Sequence, residues 1–234
     1  EEACFSSTSK IVNLAKQTNT RLHIAHISTK KELDLLENVS LEQKLITAET
    51  CPQYLYFNCN DYESLGARIK CNPAIKTPSD QNALLDAISD GRIDTVATDH
   101  APHLLSEKEG DCLKAVSGMP MIQFSLLAML QLTRTTNLTI ENVVEKMCHN
   151  PAVLFSIKNR GFIQKGYIAD LVLIDPNKKT EVAESSILSK CKWSPFEGRV
   201  FDFSVTHTFV NGNLVFENGK IHNQFIGKKI EFNR

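Results

Sequence analysis

The sequence predicts an α/β protein in which parallel strands alternate with helices, followed by a shorter β-rich segment. Two observations support this class. Apolar, β-branched runs at residues 22–27, 45–50 and 95–99 are separated by segments of helical periodicity. Consecutive βα units of this kind form parallel sheets with right-handed crossovers. Near residue 160 the pattern changes to short β segments, which predicts two domains, 1–160 and 161–234.

The helices are predicted from apolar residues that recur every three or four positions. They cover residues 6–16, a segment from the Ser28-Thr29 cap to about 37, a segment from Pro78 to Gly91, and residues 121–132 and 140–148. A short extended piece is expected at 68–71. The polar stretch between His103 and Met119 has the character of a lid or substrate loop.

The β-rich segment contains three predicted strands, at residues 171–174, 205–210 and 214–216. Asn211-Gly212 separates the last two, and this dipeptide favours the positive φ angles of a tight hairpin turn. We therefore expect residues 205–216 to form an antiparallel hairpin.

Composition excludes several classes of function. The chain has 234 residues, 42% hydrophobic and 23% charged, with a net charge of −1. This near-neutral balance gives no electrostatic footprint for nucleic acid or for an anionic membrane. No apolar run reaches the roughly 18 to 20 residues that a bilayer span needs, and no signal-peptide pattern opens the chain. These features predict a cytoplasmic protein.

Seven cysteines are scattered along the chain without a C-x-x-C pair. An odd number without regular spacing favours reduced thiols over a disulfide framework or a cysteine zinc site.

Polar groups follow directly after the predicted strand at 95–99. The stretch T-V-A-T-D-H-A-P-H ends on Asp99, His100 and His103, with Pro102 fixing its own φ in the loop. In parallel sheets and barrels, chemistry is carried out at the carboxyl ends of the strands. The alternative is an Asp that caps the next helix and two solvated loop histidines.

His26 ends the first predicted strand and is expected to lie on the same face as Leu22 and Ile24. Its imidazole and the Asp99 carboxylate are suitable zinc ligands, although a catalytic zinc takes three or four ligands. A hydrogen-bonded core histidine is the alternative interpretation.

Four motifs together resemble the dihydroorotases of the amidohydrolase superfamily, most closely the class I bacterial type. They are H-I-S-T-K from His26, K-C-N-P-A-I-K from Lys70, A-T-D-H-A-P-H from Ala97, and G-M-P from Gly118. A later segment, G-F-I-Q-K-G-Y-I-A-D-L-V from Gly161, resembles the point where these enzymes return to their β-sandwich. The resemblance implies the C-terminal part of a (β/α)8 TIM-type barrel over 1–160 and part of a β-sandwich over 161–234.

The resemblance also implies a role for each matching residue. His26 and Asp99 would bind one or two zinc ions, with Asp99 also acting as general acid and base. Asn72 would bind the dihydropyrimidine ring, and His103 would bind the substrate carboxylate. The backbone at Gly118 and Met119 would contact the ring. The implied reaction is the reversible cyclisation of N-carbamoyl-L-aspartate to dihydroorotate in pyrimidine biosynthesis, by a homo-oligomer such as a dimer.

The sequence departs from this family in two places. Gln53 and Tyr54 stand where many dihydroorotases have paired histidines, and here the sequence is more similar to hydantoinases. A complete barrel needs about 250 residues, whereas only three βα units precede the β-rich segment. The resemblance therefore implies a C-terminal half that requires an N-terminal half for its other metal ligands. Two alternatives stay open: a hydantoinase or allantoinase, and a non-catalytic relative that serves as an assembly partner.

Overall fold

The computed structural model describes residues 1–225 and 227–233. Its helices and strands follow in the order α1 (Glu2–Thr18), β1 (Leu22–Ile24), β2 (Ile46–Thr50), α2 (Pro52–Tyr56), α3 (Tyr62–Leu65), α4 (Pro78–Ser89), β3 (Thr95–Val96), α5 (Ser125–Thr135), α6 (Ile140–Val144), α7 (Asn150–Leu154), β4 (Leu171–Asp175), β5 (Thr180–Glu181), β6 (Val200–Phe201), β7 (Ser204–Val210), β8 (Asn213–Glu217) and β9 (Lys220–Ile221). Short 3₁₀ segments connect several of them, and a π-helical turn, Glu145–His149, joins α6 to α7.

The first three strands form the predicted parallel sheet. Its order is β1-β2-β3, with Leu22 opposite Ile46 and Glu49 opposite Thr95. Because the three strands are parallel and adjacent in chain order, their carboxyl ends meet at one edge of the sheet. The prediction of consecutive βα units is therefore confirmed.

Two local predictions are wrong. Residues 68–71 do not form one extended piece, because Arg68 and Ile69 belong to a 3₁₀ turn, Gly66–Ile69, after which Lys70 N donates to Ala67 O at 3.0 Å. The helix expected after Thr29 is a 3₁₀ helix, Lys31–Leu35, that ends before residue 37. Its N-cap is Lys30 rather than the predicted Ser28-Thr29, although Thr29 Oγ1 accepts a hydrogen bond from Glu32 N at 3.2 Å.

The β-rich segment forms two antiparallel sheets, one in the order β4-β7-β8-β9 and one that pairs β5 with β6. The hairpin between β7 and β8 turns at Asn211 and Gly212, whose φ values of 51° and 79° match the predicted turn. Trp193 and Phe196, in the connection from β5 to β6, and Phe201, on β6, are fully buried in the hydrophobic core that α2, α4 and α5 also line. The division into domains 1–160 and 161–234 stays a prediction.

All seven cysteines carry free thiols, as expected. Among the described residues, no helix combines the length and the apolar character needed to cross a membrane.

A buried ion pair connects β2 to the turn that precedes β3. Lys44 Nζ lies 2.7 Å from Asp94 Oδ1, and their side chains are only 1% and 4% exposed. Asp94 Oδ2 accepts from Ala48 N at 2.9 Å, and Lys44 Nζ also donates to Gly91 O at 2.7 Å. Each charge therefore has further hydrogen-bond partners, which a buried pair requires to offset its desolvation.

We predict that Lys44→Met destabilises the protein by about 3 to 5 kcal/mol, because it leaves the Asp94 carboxylate buried without a counter-charge. Urea-induced unfolding measures the change. The control is Lys31→Met, which removes an exposed pair with Glu2 and should cost less than about 1 kcal/mol. Equal effects of the two substitutions would contradict the role given to Lys44.

Candidate active site

The backbone turns left-handed at the two residues assigned to the metal. β1 ends at Ile24 and β3 at Val96, earlier than predicted, and the φ angles of His26 and Asp99 are 45° and 44°. A left-handed residue interrupts the alternation of side chains along a strand. The predictions that Asp99 ends its strand and that His26 continues the face of Ile24 are therefore wrong, although His26 lies two residues after the end of β1 and Asp99 three residues after the end of β3.

His26 and Asp99 interact electrostatically. Partial burial raises the pKa of the Asp99 carboxyl above its usual value; His26 opposes this shift and the Glu49 carboxylate adds to it. Within residues 1–225 and 227–233, neither side chain has a hydrogen-bond partner. The imidazole nitrogens and the carboxylate oxygens are thus available to an incoming ligand.

Glu49, on β2, is a member of this site that the sequence did not indicate. His23 Nε2 lies 3.1 Å from Glu49 Oε2, and His23 Nδ1 lies 2.9 Å from Thr47 Oγ1. Both ring nitrogens of His23 are occupied, so this histidine has a structural role. A charged residue within an apolar parallel strand was the signal that could have identified Glu49.

Asn72 is exposed and lies on the same groove as His26. The following residue, Pro73, is joined to it by a cis peptide bond. Tyr54 Oη donates to the Pro73 carbonyl oxygen at 2.9 Å. Tyr54 therefore supports the segment that presents Asn72.

His103 packs against Gly118. A Cβ atom placed on Gly118 would lie 3.3 Å from His103 Cδ2 and 2.5 Å from Ala101 Cβ, and the φ of Gly118 is 119°. Only glycine fits this close approach and this backbone conformation. The next residue, Met119, accepts a hydrogen bond from Ala101 N at 3.0 Å. The predicted residues His103, Gly118 and Met119 are therefore brought together.

The β-rich segment also contacts this group, because Trp193 Nε1 donates to the His103 carbonyl oxygen at 2.7 Å. Trp193 is fully buried. This contact joins residues that are far apart in the chain, and no local pattern in the sequence predicts it.

The donor set suits a metal ion only in part. Imidazole nitrogen and carboxylate oxygen are ligands that zinc accepts, and His26 and Asp99 provide one of each. No group of three or more histidine, cysteine, aspartate or glutamate residues with metal-binding geometry occurs in the described part of the chain. His26 and Asp99 therefore supply two of the three or four ligands that a zinc ion takes.

Known proteins resemble this chain over most of its length. A family model described as "Amidohydrolase family" matches residues 6–215. A dihydroorotase of Acetivibrio thermocellus is 39% identical over 206 residues, which cover 86% of this chain and 47% of the relative. An allantoinase of Bacillus velezensis is 31% identical over 94% of this chain and 48% of its own length.

Solved structures show the same likeness. The L-hydantoinase (dihydropyrimidinase) of Arthrobacter aurescens superimposes with a TM-score of 0.87 at 30% identity, over 93% of this chain and 49% of that one. The chain thus spans about half the length of the relatives it matches. These likenesses confirm the predicted fold class, part of a barrel-type hydrolase, and the resemblance to dihydroorotases.

We predict that Gly118→Ala destabilises the protein by roughly 1 to 3 kcal/mol more than Gly166→Ala, the range typical of overpacking. Both glycines have positive φ angles, but the space beside Gly166 is open. The difference therefore isolates the contact with Ala101 and His103. Denaturant unfolding of the two variants measures it, and equal losses would show that Gly118 is not closely packed in solution.

Proposed function

Because this chain belongs to the amidohydrolase family, we propose that it is the C-terminal half of a dihydroorotase, which reversibly cyclises N-carbamoyl-L-aspartate to dihydroorotate. The observation that carries this proposal is the grouping of His26 and Asp99, both without hydrogen-bond partners among the described residues, with Asn72 on the same groove as His26. The 39% identity to a named dihydroorotase supports the choice of substrate.

His26 and Asp99 would hold the metal, together with ligands from outside these 234 residues. One or two zinc ions would lower the pKa of the attacking water and polarise the ring carbonyl. The mixed nitrogen and oxygen donors of this pair support zinc. β1 pairs with β2 on one edge, and its other edge has no partner strand in the described structure. This open edge supports an upstream half that packs against it.

In this proposal Asp99 moves the proton. Its carboxylate accepts a proton from the water that attacks the ring carbonyl and donates it to the departing ring nitrogen. In the reverse direction it takes the proton from the carbamoyl nitrogen as the new C–N bond forms, and returns it to the oxygen that leaves the substrate carboxyl group as water.

Asn72 and His103 would position the substrate. The exposed Asn72 amide can both donate to and accept from the amide groups of the ring. His103, packed against Gly118, would donate to the substrate carboxylate. The backbone of Gly118 and Met119 would contact the ring itself. Orienting the substrate in this way can contribute several kcal/mol to the lowering of the barrier.

A second candidate is another cyclic amidase, a hydantoinase or an allantoinase. Tyr54, in its contact with Pro73, and Gln53 favour it, as does the likeness to the A. aurescens enzyme. Turnover of dihydroorotate, hydantoin and allantoin by the full-length protein separates these activities. A metal-loaded protein that acts on none of them would favour a non-catalytic assembly partner.

The proposal also covers the localisation, oligomeric state and partners of the enzyme. We infer a cytoplasmic homo-oligomer, such as a dimer, that acts on a small molecule and binds neither nucleic acid nor membrane. The net charge of −1 supports the absence of nucleic-acid binding.

The first functional prediction concerns Asp99. In the full-length enzyme, Asp99→Asn should lower kcat for dihydroorotate by roughly 10² to 10⁴-fold, the range typical for loss of a general acid and base. Steady-state kinetics measure the change, with Asp86→Asn on the exposed side of α4 as control. A variant that retains more than about a tenth of the turnover would remove Asp99 from the proton path.

The second functional prediction separates His26 from His103. His26→Ala should deplete zinc, because it removes a metal ligand. His103→Ala should keep zinc and weaken binding of the charged substrate by about 1.5 to 3 kcal/mol, the contribution of a hydrogen bond to a charged group. Elemental analysis and KM values measure the two effects, with His207→Ala on β7 as control. Equal zinc contents in the His26 and His103 variants would contradict these roles.

A further inference from the structure

We propose that Lys108 is a positioning residue of this site, whose ammonium group holds the loop 104–118 in the conformation that places Gly118 against His103. The inference deepens the proposed function and rests on it for the identity of the substrate. The sequence gives no signal for this role, because a lysine in a polar loop ordinarily extends into solvent.

Lys108 is buried, with only 4% of the residue exposed. Its Nζ donates to three backbone carbonyl oxygens: Lys70 O at 2.9 Å, Val116 O at 2.7 Å and Gly118 O at 2.7 Å. An ammonium group has three N–H donors, so each donor has one acceptor. No carboxylate takes part.

The three carbonyl groups converge on one nitrogen atom. Without the ammonium, three oxygens with partial negative charge would face each other in a space that excludes water. Unsatisfied buried carbonyls are unfavourable, so the loop should rearrange until water reaches them. Lys108 therefore stabilises one particular conformation of the loop.

Each carbonyl belongs to a segment that carries a proposed substrate contact. Lys70 O also accepts from Gly118 N at 2.9 Å, and Lys70 lies two residues before Asn72. Gly118 packs on His103. One ammonium group thus joins the Asn72 segment, the Gly118 backbone and the His103 loop.

Lys70 makes a second connection to the same loop. Its Nζ donates to Cys112 O at 2.7 Å and to Ala115 O. Lys114, by contrast, is exposed and its ammonium has no contact among the described residues. Lys114 is therefore a matched control for a substitution at Lys108.

The charge of Lys108 is sensitive to pH. Burial lowers the pKa of Lys108 to about 8; Lys70 acts in the same direction, and Cys71 opposes it. Glu107, the neighbouring carboxylate, bonds Leu104 N instead and does not offset the charge. A neutral amine has two N–H donors, so one carbonyl loses its partner as the pH rises above about 8.

The test compares Lys108→Met with Lys114→Met in the full-length, zinc-loaded protein. We expect Lys108→Met to raise KM for dihydroorotate at least fivefold, with kcat within threefold of wild type and zinc content unchanged. Hydrogen–deuterium exchange of peptides covering residues 100–119 should be faster in this variant. Lys114→Met should match the wild type in all four measurements.

Wild-type kinetics provide a measurement that does not depend on the folding of a variant. KM should rise between pH 7 and pH 9 while zinc content stays constant, because folded-state interactions of the Lys108 ammonium are lost as the pH passes its pKa. An unchanged KM over this range, or a folded Lys108→Met variant with wild-type KM and exchange, overturns the inference. So does a variant that loses kcat at unchanged KM.

The design separates this inference from the proposed function. If the wild-type protein does not turn over dihydroorotate, the proposed substrate is wrong. The exchange comparison at residues 100–119 then still decides whether Lys108 orders the loop, with faster exchange in Lys108→Met supporting it and equal exchange overturning it.

Discussion

The pairing of Lys44 with Asp94 is the interaction on which the α/β part depends most directly. It joins β2 to the turn before β3, and the Asp94 carbonyl oxygen also accepts from Asn150 Nδ2 at 2.8 Å. Asp94 therefore contacts Lys44 and β2 through its carboxylate and α7 through its backbone carbonyl oxygen. The strands are parallel and short. The way in which β2 and β3 are aligned at their amino ends therefore determines which residues lie at the carboxyl edge of the sheet.

At that opposite edge the regular backbone ends where the polar groups begin. His26 and Asp99 both adopt left-handed conformations, which strands do not sustain. The sheet therefore ends before these two residues. The left-handed turns change the direction of both side chains, and neither has a hydrogen-bond partner among the described residues. Glu49 contributes from β2 by raising the pKa of Asp99, while its own contact with His23 keeps it in place. The ends of the strands determine where His26 and Asp99 lie, and their left-handed backbone conformations determine where the two side chains point.

Backbone groups shape the remaining wall of the site. The carbonyl oxygens of Lys70, Val116 and Gly118 are gathered by one buried lysine, and the His103 carbonyl is held by Trp193 from the β-rich segment. These contacts involve main-chain atoms, which every residue possesses. A loop rich in polar residues is thereby ordered without a hydrophobic core of its own.

The sequence by itself determined the fold class, the parallel order of the three βα units, the hairpin at Asn211-Gly212 and the identity of the six proposed site residues. Periodicity and turn residues are local features, and the motifs around His26, Asn72, Asp99 and Gly118 are contiguous in the chain. All of them can therefore be recognised from the sequence alone. Tertiary structure alone decided the strand ends at Ile24 and Val96 and the burial of Lys108. The physical reason is that these features depend on partners far away in the chain. Lys108 is buried where three carbonyl groups converge, one of them from Lys70, and β1 and β3 end where their pairing with β2 ends.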